Sequence, residues 1–163
     1  MFIGFEIINN RTTDANRSIN NDAKLANDNN VDGVIEFHFN AGGGNGTETY
    51  HSVTGGTGKE LAKAINDRIA SLGFKNRGIK TKVAADRTDY FGIIRQTKAP
   101  AVLVEICFID SDSDMDLYHR TKYMVKHIVM FKLKDTLSKD EKLDVMNRFK
   151  AAIEALPASI SVI

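Results

Sequence analysis

One cysteine, two prolines and no tryptophan occur in the 163 residues. The lone Cys107 excludes an intrachain disulfide, and its apolar flank from Val102 to Ile109 reads as a buried small hydrophobe rather than an activated thiol. Net charge is missing as well: 22 Lys+Arg against 21 Asp+Glu leave +1, so no global field favours nucleic acid or an anionic membrane surface. No run approaches the roughly 18–20 apolar residues of a membrane span. The apolar start at Met1–Phe5 lacks a basic region and is cut short by Glu6, which argues against a signal peptide and for a chain that is cytoplasmic as given or a piece of something larger. What is present is ordinary for a folded domain: 42% hydrophobic and 26% charged residues, on a length that suits one domain.

Along the chain, strand and helix signals alternate. Residues 2–8 form a short β-rich run. Residues 13–17 carry N-cap chemistry, and Ile19, Ala23 and Ala26 recur at helical spacing up to an Asn-rich stop at 27–30. Residues 33–39 predict a strand, halted by the glycine loop 40–46, with Val34, Glu36 and His38 on one face and Ile35, Phe37 and Phe39 on the other. A strand over 47–52 follows. The stripe Leu61, Ala62, Ile65, Ile69 and Leu72 predicts a helix over 58–72. Asn76-Arg77-Gly78 reads as a turn, and 92–95 as a short strand. The near-continuous apolar run 100–108 suits a strand buried on both faces. The expected fold class is α/β: an open, mostly parallel twisted sheet flanked by helices, with function at strand C-terminal ends.

Two polar residues sit inside hydrophobic strands. His38 reads either as a hydrogen-bonded structural residue or as a ligand. Glu105, among Val102, Leu103, Val104, Ile106 and Phe108, needs a cation, a metal or a raised pKa, and perturbed carboxylates gather at functional sites. Arg95 is a candidate cation for orienting Glu105 or a substrate carboxylate. Asn40, at the end of the histidine strand, either holds a loop or touches substrate. The acidic series Asp110, Asp112, Asp114 and Asp116 lacks the mid-loop glycine and closing glutamate of a calcium loop, so it reads as a solvated turn with helix-capping capacity.

His38-Phe39-Asn40-Ala41, Gly46-Thr47-Glu48, 76–80 and 99–109 together resemble, in order and spacing, the zinc-dependent N-acetylmuramoyl-L-alanine amidases, most of all their phage-endolysin and sporulation branch. The resemblance spans roughly residues 1–120. It implies a peptidoglycan hydrolase that cleaves the amide between N-acetylmuramic acid and L-alanine, with His38 as a Zn²⁺ ligand and Glu105 as the catalytic group on the zinc-bound water. It also implies action on the cell wall after phage lysis or release. The family's first histidine and its ligand glutamate have no match here. Glu6, His51, His119 and His127 do not fill those places, so the resemblance implies an incomplete metal site and an impaired enzyme. The alternative is a catalytically inactive module that keeps the fold.

The character shifts near Tyr123. Residues 124–133 alternate as a half-buried antiparallel strand does, Ser138-Lys139-Asp140-Glu141 is a capping box, and Leu143, Met146, Phe149 and Ile153 share one helical face before Pro157, with a further strand over 159–163. This stretch resembles the opening of the stress-responsive dimeric α/β-barrel family, whose fold is ferredoxin-like. The resemblance implies a division into residues 1–121, an amidase domain lacking its first strand and helix, and 122–163, a partial β-α-β tail through which the chain forms a homodimer.

Overall fold

The computed structural model describes residues 5–9, 18–121, 128–133, 138, 140–144 and 147. A six-stranded sheet runs through them, made of β1 (Phe5–Asn9), β2 (Gly33–Asn40), β3 (Thr47–His51), β4 (Asn76–Lys80), β5 (Ala101–Phe108) and β6 (Ile128–Leu133). Its strand order is β1-β6-β2-β5-β3-β4. The central β2–β5 pair and the β3–β4 pair are parallel. Strand β6 is antiparallel to both β1 and β2, and β3 is antiparallel to β5. The open α/β sheet expected from the sequence is therefore present, with antiparallel strands set into it.

Helices cover both faces because every central strand alternates apolar residues outward on two sides. On one face Ile35, Val102, Val104 and Ile106 pack with Leu61, Ala62, Ile65 and Ile69 of α2 (Gly56–Ala70), while Met115, Leu117 and Tyr118 of α4 (Asp112–Thr121) close the edge. On the other face Val34, Ala101 and Leu103 meet Ala23 and Ala26 of α1 (Ile19–Asp28) and Ile93 and Ile94 of α3 (Gly92–Gln96). Cys107 is fully buried beside Ile106, and burial with the nearby Asp114 charge pushes its thiol up to about 12, so it is the inert hydrophobe its flank suggested.

Two local expectations fail, each for a visible reason. Residues 92–95 are helical, not extended: consecutive Ile93 and Ile94 are both buried in one core, which a strand's alternation would forbid. Asn27 anchors this helix, its Nδ2 donating to Gln96 O at 2.9 Å and its Oδ1 accepting from Lys98 N at 2.8 Å. Gly92 has no side chain because Ile19 would lie 2.8 Å from a Cβ there. Residues 76–78 belong to strand β4, and the turn chemistry is spent on a bulge inside it. Thr47 pairs with Asn76 but Thr49 pairs with Ile79, which leaves one extra residue on β4, and Gly78 takes φ +80.

The strand expected near residues 125–133 forms as β6, and it lies between β1 and β2 rather than apart from the sheet. The capping box also forms: Glu141 N donates to Ser138 Oγ at 3.3 Å, and Ser138 N donates to Glu141 Oε2 at 2.8 Å. The expected contacts of Met146, Phe149 and Ile153, the strand over 159–163 and the capping chemistry at 13–17 lie outside the described residues.

Candidate active site on the sheet face of His38 and Glu105

Strand pairing brings the site together. His38 of β2 stands opposite Glu105 of β5 in parallel register, and Glu105 stands opposite Glu48 of β3 in antiparallel register. Cross-strand partners share a face, so His38, Glu105 and Glu48 form a lateral row. Glu36 joins it two residues before His38. Helices α1 and α3 cover this face at Val34, Ala101 and Leu103, on the side of the row where β5 begins.

Glu36 is 5% exposed and places Oε1 3.0 Å from His38 Nε2. That bond raises the His38 pKa against the opposing effect of burial, helped by the charges of Glu36 and Glu105. The His38 side chain itself remains 44% exposed. Glu105 is half-buried, and its Oε2 is buried with no hydrogen-bond partner among the described residues. Burial raises its pKa; the His38 charge opposes this, while Glu48 and Glu36 add to it. A half-buried carboxyl with an unmatched oxygen and a raised pKa is suited to holding and releasing a proton.

Glu48, 3% exposed, is the best-satisfied charge on the face. Its Oε1 accepts from Tyr50 Oη at 2.9 Å and Asn40 Nδ2 at 3.2 Å. Its Oε2 accepts from Arg77 Nε at 2.6 Å and Lys80 Nζ at 2.5 Å. Burial would raise its pKa, but the bonds from Lys80, Arg77 and Tyr50 outweigh it and leave the carboxyl below the usual range. Tyr50, partly buried and bonded to that carboxylate, is pushed up to about 12. The β4 bulge explains how two cations reach one acid: the extra residue lets both Arg77 and Lys80 serve Glu48 across the same strand pair.

A second bulge lies at the end of β5, where His38 pairs with Glu105 but Asn40 pairs with Phe108. It lies beside the glycine loop that follows β2, whose backbone is tied to two aspartates just beyond β5. Asp110 Oδ2 accepts from Gly42 N and Gly43 N, both at 2.8 Å, and buried Asp114 Oδ2 accepts from Gly46 N at 2.7 Å and Phe108 N at 2.9 Å. Two of the acidic series, Asp110 and Asp114, thus cap the loop and the strand end.

Asn40 bonds Glu48 through Nδ2 and receives Ala41 N through Oδ1, so it holds both loop and site. Arg95 is exposed on α3, with Nη1 donating to Asp89 O at 2.7 Å and Tyr90 O at 3.0 Å. The cations bonded into the row are Arg77 and Lys80 instead. Sequence reasoning marked 46–48 and 76–80 as motifs but gave Glu48, Arg77 and Lys80 no role; the alternation Glu48-Thr49-Tyr50 was the available signal. Among the described residues no group of three or more His, Cys, Asp or Glu is arranged to hold a metal ion.

The row sits in a recognisable frame, because the profile of the N-acetylmuramoyl-L-alanine amidase family matches residues 3–130. The chain belongs to that family. Among curated relatives it is 37% identical to the endolysin of Bacillus phage SPP1, over 63% of this chain and 38% of the relative, and 32% identical to the sporulation-specific N-acetylmuramoyl-L-alanine amidase of Bacillus subtilis, over 68% and 42%. Among solved structures, Cwp6 from Clostridium difficile aligns with TM-score 0.63 at 39% identity, covering 65% of this chain and 18% of that one. The chain spans about a third of the length of the first curated relatives it matches. The amidase match thus includes the first residues of β6, which the sequence had placed with the tail.

Proposed function

We propose that this chain serves hydrolysis of the amide between N-acetylmuramic acid and L-alanine in peptidoglycan, with Glu105 as the catalytic group. The observation that carries the reading is the buried Glu105 Oε2, without a hydrogen-bond partner among the described residues, on the strand position paired with His38 in a chain of the amidase family. In that role Glu105 accepts the proton of the attacking water and returns it to the leaving amine nitrogen, as hydroxide adds to the carbonyl carbon and the C–N bond breaks. Glu36 fixes the His38 ring, and Asn40 ties the loop at the strand end to Glu48. Arg95 holds the 89–90 backbone from α3.

The family resemblance calls for Zn²⁺, which when bound acidifies a water to a pKa of roughly 7. Catalytic zinc takes three protein ligands. The described residues offer His38 as one donor, its Nε2 already bonded to Glu36, and no three-donor group. They do not fit the ion by themselves. That misfit favours a second reading, an amidase-fold module that binds peptidoglycan without cleaving it.

Clearing of a cell-wall suspension separates the two. Lysis abolished by chelator and by Glu105→Gln supports the hydrolase; retention on sedimented walls without lysis supports the module. Zinc content after dialysis is expected to be far below one ion per chain, and stoichiometric zinc would overturn the statement that these residues are insufficient. Homodimerisation through residues 124–163 is a separate proposal. Both edges of β6 are already paired within the sheet, so the dimer contact lies elsewhere in that stretch, and sedimentation of the full chain across concentrations tests it.

A further inference from the structure

Resting on the proposed peptidoglycan substrate, we propose that Arg77 and Lys80 form a specificity subsite for a carboxylate of the substrate's peptide, placed about two residues beyond the scissile amide.

The first argument is charge. A structural ion pair for Glu48 requires one cation, and two are present. Their partner's acceptor sites are filled, since Oε2 takes both cations and Oε1 takes Asn40 and Tyr50. Lys80 has three N–H donors and spends one on Glu48. Arg77 has five, and spends Nε on Glu48 and Nη1 on Asn45 O at 3.4 Å. The side chains are 29% and 34% exposed, so the two cations are in part accessible to solvent. The guanidinium is also braced 4.9 Å over the Phe108 ring, which limits the ordering needed to use it.

The second argument is placement. Across the sheet the order is β2, β5, β3, β4, so Glu48 stands between Glu105 and the two cations. With Glu48 interposed, the pair bonds the neighbouring acid rather than Glu105 itself and is placed to meet something lying across the strands. Two strand spacings separate β5 from β4, roughly 10 Å. An extended peptide advances about 3.4 Å per residue, so a ligand with its scissile amide over Glu105 reaches β4 with the side chain or terminus of the residue after L-alanine. An acidic residue there would meet two cations, whereas its amide would forfeit the charge-assisted bonds. This is the substrate-carboxylate role that the sequence suggested for Arg95, moved to the pair bonded into the site.

Isothermal titration of the full chain with N-acetylmuramoyl-L-alanyl-glutamate and with its fully amidated counterpart tests the subsite without requiring turnover. The acid is expected to bind roughly tenfold more tightly at low salt, with the advantage shrinking as ionic strength rises. Lys80→Met should remove most of that preference, Arg77→Gln should reduce it, and Lys80→Arg should keep it. Equal affinity for the two probes, or a preference untouched in both Lys80→Met and Arg77→Gln, overturns the subsite while leaving the amidase reading standing. Binding of neither probe is a different result, and it overturns the proposed function along with the subsite.

Discussion

Replacing Glu48 by glutamine tests whether the charge row is a structural keystone as well as a place for chemistry. The carboxylate is 3% exposed and accepts four hydrogen bonds, two of them from cations. A glutamine amide has one acceptor oxygen. If that oxygen turns to Arg77 and Lys80, the amide nitrogen faces the Asn40 amide donor; if it turns the other way, two cations face N–H groups. Removing one member of a fully buried ion pair costs about 3–5 kcal/mol. Here the cations are about one-third exposed and can recover water, so the lower part of that scale applies and roughly 2–3 kcal/mol of unfolding free energy should be lost.

Urea titration at pH 7 reads this directly, with an unchanged denaturant slope required for the comparison. Lys24→Ala is the control: its i,i+4 pair with Asp28 is mostly exposed, and about 0.5 kcal/mol or less is expected. The pH dependence follows from the depressed Glu48 pKa. A carboxyl lower in the folded than in the unfolded state contributes stability that is present above the ordinary value of 4.5 and lost as pH falls through the folded value. The parent and Glu48→Gln curves should therefore converge below pH 4.5. A Glu48→Gln loss no larger than that of Lys24→Ala, or a difference independent of pH, refutes the account.

Other consequences follow from the same geometry. Tyr50, held at about 12 by burial and the Glu48 charge, should titrate closer to 10 in Glu48→Gln by ultraviolet absorbance; its contribution to stability is present below pH 10 and lost as pH rises toward 12. Glu105→Gln should abolish any hydrolysis yet stabilise the fold by about 1 kcal/mol at pH 7, since it removes a charge from a half-buried site. Because the Glu105 pKa is raised in the folded chain, that gain should vanish below pH 4.5 and grow as pH rises through the folded value; a gain flat from pH 4 to 8 contradicts it. Gly46→Ala should cost about 2 kcal/mol or more in the same urea assay, because φ is +99 and the new Cβ would lie 2.2 Å from Lys75 O.

Much of this site was legible because its two central residues break a local rule. His38 and Glu105 interrupt hydrophobic strands, and a polar group there demands an explanation from composition alone. Strand parity also placed Glu36 beside His38 on the correct face. Glu48 was hidden by its surroundings: in Thr47-Glu48-Thr49-Tyr50 a glutamate looks like the solvated half of an edge strand, and only pairing with β5 on one side and β4 on the other buries it. Arg77 and Lys80 were hidden by the reading of Asn76-Arg77-Gly78 as a turn, although the glycine conformation behind that reading is real. The same chemistry that closes a hairpin also makes a bulge, and the difference lies in whether a partner strand continues past it.

The misread segments share a cause. Residues 92–95 and 76–78 are each too short for periodicity to decide, and both are settled by a long-range neighbour: Asn27 for the first, β3 for the second. The two bulges lie on β4 and β5, the strands on either side of the one that carries Glu48. Each adds one residue to a parallel ladder and so re-aims the side chains around it, bringing Arg77 and Lys80 onto one acid and ending β5 where Asp114 ties Phe108 to the glycine loop. If the bulges rather than the individual side chains define the site, replacing a cation by its conservative variant should be milder than straightening the strand beneath it. Deleting Gly78 to restore an unbulged β4 should therefore cost more carboxylate preference than Lys80→Arg. The reverse ranking would show that charge alone, without the register shift, builds the subsite.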